Sequence, residues 1–318
     1  MATPKTYVVC PDNAAPSGGI RKLYRLVDVL NANGYPAAIL HRAKGFRCSW
    51  FESQTTVFAD ADIKLQPTDL VVVPEVLGPE LANAGRGVRT IVYNQNAYYT
   101  FWHYSVDPFD RVTSYRDPRV SAVLVVSEDN RQYLEYAFPG LKIFRIHYGI
   151  DGNLFRPSKE KIKQICYMPR KHPDEAMQVI NILKFRGKLD DWSITVLDGR
   201  SEKETAEILR QSLVFLSFGY PEGFSLPPLE AMACSCITVG YHGMGGREYF
   251  TEEHGFPVPM GDIITFSKTL ERVLGMWETQ QETLIAKMER AAAYVAKVHT
   301  FEHETADILN AWREILGS

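Results

Sequence analysis

Short apolar runs rich in β-branched residues alternate with helical patterns along nearly the whole chain, and no other feature narrows the fold as far. Such alternation is the signature of βαβ units and of parallel sheets. In the first half the predicted strands are TYVVCP, AAILH, DLVVVP, RTIVYN, AVLVVS and KIFRIHY. In the second they are QICYMP, SITVLD, SLVFLSF and CITVGY, with a short piece at GFPVP. Amphipathic stretches lie between them. GGIRKLYRLVDVLNANG opens and closes on glycine, and SEDNRQYLEYAF begins at Ser127, whose hydroxyl can accept an orphan amide as an N-cap.

At 318 residues the chain exceeds one comfortable core, and its length points to about two domains. The stretch YGIDGNLFRPSKEK, residues 148–161, combines glycines, a proline and mixed charge and reads as the linker. The predicted class is therefore α/β, with two Rossmann-like domains facing each other across a cleft. The expected divisions are residues 1–150, residues 151–300 and a terminal helical segment, 301–318.

Charge and cysteine content exclude several classes. The net charge is -3 and the isoelectric point is near 6.3, so nothing global favours a nucleic-acid partner. Local basic patches still leave room for a phosphate-bearing ligand. No apolar run approaches the ~20 residues of a membrane span, and MATPKTYVVCPD lacks the apolar stretch of a signal peptide. The five cysteines, at 10, 48, 166, 234 and 236, are an odd count at scattered positions, which fits reduced thiols in the cytosol. A cytoplasmic protein is expected, with peripheral membrane contact as a further expectation.

YPEGFSLPPLEAMACSCITVGYHGMGGREYF, residues 220–250, places Glu222 and Glu230 around a glycine and two adjacent prolines. Proline is tolerated in the first helical turn, so the helix is predicted to start near Pro227 or Pro228. Glu230 then falls in the first turn, at the positive end of the dipole. The amides of Gly223, Phe224, Ser225 and Leu226 can point at an anion. A loop-to-helix turn after a parallel strand is where open α/β sheets bind ligands. A carboxylate accepts two hydrogen bonds side by side and suits a vicinal diol. Two carboxylates with amides between them suit a ligand hydroxylated at both ends and anionic in the middle, such as a nucleotide-sugar. The bland alternative is that Glu230 only compensates the helix dipole and Glu222 is a solvated loop acid.

The stretch resembles the signature of retaining, GT-B-fold glycosyltransferases of the large family-four, or glycosyl transferases group 1, type. That pattern is EG-x-x-LP-x-LEAMA-x-G-x-P-V followed by GG-x-x-E. Here it is supplied by Glu222, Gly223, Leu226, Pro227, Leu229, Glu230, Ala231, Met232 and Ala233, then Gly245, Gly246 and Glu248. Ser235 and Ile237 stand where the family usually has glycine and proline. The resemblance implies that Glu222 lies by the donor hexose as a catalytic residue and that Glu230 holds the ribose hydroxyls. It implies that the Gly18–Gly19 pair after the first strand brings amides to a phosphate or sugar, and that Arg170 neutralises the diphosphate. It also implies a terminal helix packing back toward the N-terminal domain.

Two departures bear on the donor. The family has a lysine several residues after its arginine; Glu175 is near that position here, and Lys171 is the substitute cation expected. Between Gly199 and Ser217 the family has a longer insertion that contacts the base, whereas this chain has room for one helix.

Other candidates are less specific. Asn94, Gln95 and Asn96 follow RTIVYN and suit sugar hydroxyls, and Asn94, Asn96 and His103 are the acceptor-binding candidates. Tyr98, Tyr99, Phe101 and Trp102 suit stacking on a pyranose or filling a core. Residues 41–52, HRAKGFRCSWFE, mix Arg42, Lys44 and Arg47 with Phe46, Trp50 and Phe51. That composition fits an anionic bilayer, an acceptor-side loop or a plain surface loop. Asp60 and Asp62 match the metal signature of another glycosyltransferase fold but read as a solvated turn. Cys234 and Cys236 have no second Cys/His pair at a zinc spacing.

The expected activity is transfer of a hexose from a nucleotide-diphosphate sugar to a glycan or lipid-linked acceptor, with no cofactor and no metal. Two alternatives stay open: a degenerate GT-B protein that binds a saccharide or partner without turnover, and a sugar-nucleotide epimerase.

Overall fold

The computed structural model describes residues 4–317. The chain divides into two compact units, one made of the chain up to His147 and again from Glu304, the other of Tyr148–His303.

The first unit carries β1 (Thr6–Val9), α1 (Gly18–Ala32), β2 (Ala37–His41), β3 (Val57–Ala59), β4 (Leu70–Pro74), α2 (Leu81–Ala84), β5 (Arg89–Asn94), β6 (Val120–Val125), α3 (Glu128–Ala137) and β7 (Ile143–Arg145). Its seven strands form a parallel sheet of order β3-β2-β1-β4-β5-β6-β7. The order reverses between β1 and β4, which makes the crevice at their carboxyl ends the switch point of a doubly wound sheet. Strands β2 and β4 are buried at every residue, as strands covered on both faces must be. Val71, Val73, Val92 and Val123 form a core layer with Leu134 and Phe138. Ser127 caps α3 as its position predicts, accepting from the Asn130 amide at 3.1 Å. Strand β3 goes beyond the sequence reading, because three residues at a sheet edge carry too little pattern to be seen.

The second unit carries β8 (Ile162–Tyr167), α4 (Pro173–Phe185), β9 (Ser193–Val196), α5 (Glu202–Gln211), β10 (Ser212–Ser217), α6 (Leu226–Ala233), β11 (Ile237–Gly240), β12 (Phe256–Pro257), α7 (Ile263–Thr279) and α8 (Gln281–Val298). Its sheet is also parallel, with order β12-β11-β10-β8-β9. The core sets Phe218 stacked on Phe266 at 4.7 Å, with Ile165, Val214, Leu216 and Val239 around them. Helix α5 alone connects β9 to β10, so the Gly199–Ser217 segment is as compact as its length predicts. It opens on a capping box: Ser201 Oγ accepts from Glu204 N at 3.3 Å and the Glu204 carboxylate from Ser201 N at 2.8 Å. Lys161 Nζ draws together the ends of α5 and α6, donating to the carbonyls of Leu209, Ser212 and Cys234 at 3.0, 2.8 and 2.6 Å. All five cysteines are buried free thiols.

The end of α6 accounts for one departure from the family pattern. Ser235 adopts φ 56°, Cys236 N donates to Ala231 O at 2.8 Å, and Ser235 N donates to Met232 O at 2.9 Å. This is a Schellman closure, whose left-handed residue is usually glycine. Serine in its place costs about 1 kcal/mol.

Helix α9 (Phe301–Gly317) ends the described chain, and from Glu304 onward it belongs to the first unit. Lys22 of α1 donates to the buried Glu304 carboxylate at 2.9 Å, which ties α9 to α1 within that unit.

Candidate functional site

Strand β10 ends at Ser217, and the chain runs through Gly219, Tyr220 and Pro221 to Glu222 at the carboxyl edge of the second sheet. The Glu222 backbone is zipped to the glycine loop after β11. Its amide donates to Gly243 O at 2.7 Å, and its carbonyl accepts from Gly245 N at 3.0 Å. A β-carbon on Gly245 would lie 1.8 Å from Gly223 O, so only glycine fits there. The two halves of the motif are therefore one backbone structure.

The Glu222 side chain is 21% exposed and faces two cations, Lys171 Nζ at 3.2 Å and Arg170 Nη2 at 3.9 Å. Sequence reasoning ranks Arg170 first. Lys171 is 18% exposed and turned inward, while Arg170 is 65% exposed and more open to solvent. Lys171 Nζ also donates to Pro221 O at 2.5 Å. The next residue reaches the next carbonyl: His172 Nε2 donates to Tyr220 O at 2.6 Å. Its Nδ1 stands 3.5 Å from the Glu175 carboxylate. Glu175 also accepts from the Tyr241 hydroxyl, whose ionisation burial pushes well above its ordinary value. Where the family pattern has its second cation, this chain thus holds a hydrogen-bonded acid.

The start of α6 corrects the expected place of Glu230. The helix begins at Leu226, with Ser225 before it in the left-handed region at φ 63°. Both prolines lie inside the first turn rather than opening it, since a missing amide hydrogen is harmless throughout that turn. Glu230 consequently sits beyond the first turn, which contains no acid. The Phe224 ring is buried against Tyr148, Tyr249 and His299, so its backbone amide, the group expected to meet an anion, is the part left for a ligand. Gly223 and Ser225 are buried too, and Leu226 is half-buried. The Phe224 and Ser225 carbonyls accept from the Tyr249 hydroxyl, which fixes the turn from behind.

In the first unit, Gly18 and Gly19 open α1 beside the switch point. A β-carbon on Gly19 would lie 2.8 Å from Gln95 Oε1, and Gln95 Nε2 donates to Gly19 O at 3.0 Å. The Gln95 amide in turn donates to Glu75 at 3.0 Å. Glu75 is 2% exposed, and burial pushes its carboxyl up to about 7. Sequence reasoning missed this residue; the one signal for it is an acid directly after Pro74, where β4 ends.

The acceptor-binding candidates do not converge. Asn94 is 0% exposed, and its amide donates to Thr100 Oγ1 and Tyr115 OH, each at 2.8 Å. Its side-chain oxygen accepts from Asn130, so its hydrogen-bonding capacity is spent inside the unit. Asn96 is buried as well and caps a short turn, accepting from Tyr98 N at 3.2 Å. Both are scaffold residues. His103 is exposed, with φ 64°, beside the half-exposed Phe101 and Trp102. In the 41–52 stretch Phe51 is buried and Arg47 donates to the carbonyls of Ser53 and Thr55, whereas Lys44 remains exposed. Asp60 and Asp62 lie in a short turn and pair with Arg86 and Lys44.

Among the described residues no helix is long and apolar enough to cross a membrane. The sequence model of glycosyl transferases group 1 matches residues 191–290. An α-1,6-glucosyltransferase of Actinobacillus pleuropneumoniae serotype 7 is 26% identical over 203 residues, 61% of this chain. The match spans 58% of that relative's length. Among solved structures, sucrose-phosphate synthase from Thermosynechococcus elongatus superposes with a TM-score of 0.70 at 13% identity, covering 99% of both chains. Anabaena HepE, solved with UDP and glucose, gives 0.69 at 14% identity, covering 98% of this chain and 100% of its own. Residues 191–290 thus match the glycosyl transferases group 1 model, in a chain with the α/β fold of GT-B glycosyltransferase structures.

Proposed function

We propose that the protein is a retaining glycosyltransferase, moving a hexose from a nucleotide-diphosphate sugar to a glycan or lipid-linked acceptor without a metal ion. The observation that carries this reading is Glu222, held at a parallel sheet's carboxyl edge with Lys171 and Arg170 beside it. The relative named an α-1,6-glucosyltransferase and the HepE complex with UDP and glucose support the substrate class. A cytoplasmic site with peripheral membrane contact belongs to the same proposal.

In the transfer, the acceptor hydroxyl oxygen bonds to the anomeric carbon as that carbon's bond to the diphosphate oxygen breaks. The hydroxyl proton passes to the departing diphosphate oxygen. Negative charge grows on the diphosphate, and Lys171, Arg170 and the backbone amides of 223–226 would offset it. Glu222 would orient the hexose through its hydroxyls, and Glu230 would hold the ribose.

Thermal shifts with UDP, GDP, dTDP and their sugar conjugates test the reading. Selective stabilisation by one nucleotide is expected, lost in Glu230→Ala. Glu222→Ala should keep the nucleotide shift and lose about 100-fold or more in turnover. No shift with any nucleotide would sink the proposal. Glu175 at the second cation position favours one other reading, a binding protein without turnover. That protein would show the nucleotide shift and no hydrolysis of the donor.

A further inference from the structure

Four aromatic side chains follow β5, and they have different surroundings. Tyr98 is held in the scaffold: its hydroxyl donates to Asp129 at 2.8 Å and its ring meets Tyr133 at 5.6 Å. Phe101 leans on Tyr104 and Phe138, at 5.8 and 5.7 Å. Tyr99 and Trp102 instead pair with each other, with ring centroids 3.9 Å apart and planes 32° apart. Tyr99 thus backs the indole, while Trp102 is 45% exposed.

The backbone under this pair is fixed from several sides. Trp102 N donates to Tyr99 O at 3.0 Å. Thr100, between them, is fully buried and accepts from Asn94 at 2.8 Å. A β-carbon on Gly78, in the turn after β4, would run into Trp102 O. His103 follows in the left-handed region at φ 64°, which a residue other than glycine keeps only where its surroundings impose it. Binding to such a preformed surface avoids the cost of ordering a mobile loop. The pair also stands beyond the carboxyl ends of β4 and β5, the edge where open α/β sheets take ligands.

A flat aromatic face open to water suits a particular class of ligand. A pyranose with equatorial hydroxyls turns its axial C–H bonds toward its two faces, so the faces are apolar and the rim is polar. Stacking on an indole removes one such face from water and leaves the rim hydroxyls free to find partners. His103, exposed and with its ring 6.4 Å from the indole, is a partner at that rim. A bilayer is the competing occupant, since Val106, Phe109 and Val112 are more than 80% exposed further along the loop. Asp107, Asp110 and Arg111 are exposed among them, however, and sinking that tip into hydrocarbon would strip three charges of water. The charges favour the saccharide.

We infer that Trp102, backed by Tyr99, is a stacking platform for a pyranose with equatorial hydroxyls, the acceptor sugar of the reaction proposed above. The acceptor role rests on that reading; the binding of the sugar does not.

Saturation-transfer NMR with methyl β-glucopyranoside, in the absence of any nucleotide, reads the platform directly. In the wild type, saturation should reach the axial protons of one ring face most strongly. Trp102→Ala should weaken binding about tenfold or more, whereas Trp102→Tyr, which keeps an aromatic face, should retain most of it. Glu222→Ala should leave the signal in place, which separates this subsite from the one proposed for the donor hexose. An unchanged signal in Trp102→Ala would overturn the inference, as would no transfer to the glycoside in the wild type. No transfer, together with Trp102-dependent binding to phosphatidylglycerol vesicles, would assign the face to a bilayer instead. Nucleotide thermal shifts without glycoside binding would remove the platform and leave the transferase; glycoside binding without nucleotide shifts would do the reverse. In turnover, Trp102→Ala should raise KM for the acceptor about tenfold and leave KM for the donor nearly unchanged.

Discussion

Glu75 and Glu222 occupy matching places, each just beyond the central strand of a parallel sheet, and their surroundings are opposite. Glu75 is enclosed, accepts the Gln95 amide, and is pushed toward its neutral form by burial. Glu222 is partly open and has a lysine at ion-pair distance. The same topology thus makes one acid part of the scaffold and leaves the other able to meet a ligand. Position in the fold nominates both residues; the local partners decide between them.

Four substitutions sharpen or break this contrast. The largest effect is expected at Glu75. Its carboxyl rises from an ordinary 4.5 to about 7 in the folded protein, so folding favours the protonated form. That stability is fully present below about pH 4.5 and is lost as pH rises through about 7, by an amount on the order of 3 kcal/mol. Glu75→Gln should abolish this loss, visible as a flatter Tm against pH. Equal pH dependence in both proteins would mean that Glu75 is not the enclosed acid described here.

The second test sets Asn94 against Glu222. Asn94→Ala strands the buried Tyr115, Thr100 and Asn130 groups and should cost about 2 kcal/mol of folding stability. Glu222→Gln removes a partly exposed ion pair and should change stability by less than about 1 kcal/mol while impairing turnover. Denaturant titrations of the two variants decide it; equal losses would erase the distinction between scaffold and site. The smallest effect is at the end of α6, where Ser235→Gly should raise stability by about 1 kcal/mol by relieving the left-handed serine.

The strands were legible because β-branched runs bounded by polar residues carry their own pattern. The second-unit site was legible because Glu222, Gly223 and Gly245 lie within one short stretch of chain and their types match their geometry. In the first unit, the NQN run announces polar groups without their direction. Asn94 is turned inward by Tyr115 and Asn130, which lie 21 and 36 residues away, and no local pattern records that. Glu75 is hidden for the same reason, since its enclosure comes from β5 and the turn after it. Lys171 and Arg170 are adjacent in sequence and both approach Glu222, and only the fold shows that Lys171 is the one turned inward, onto the Pro221 carbonyl.

The contact between Gly245 and Gly223 sets how this chain can diversify. Ser235 and Ile237 already differ from the usual pattern at the far end of α6, without touching the backbone pairing of Glu222. Drift at that end is open. At Gly245 the atom in the way of any side chain is a backbone oxygen, which no substitution elsewhere can shorten or remove. A new side chain there has no single compensating partner, so changes in what this site accepts must come from the residues that surround this pair and never from the pair itself.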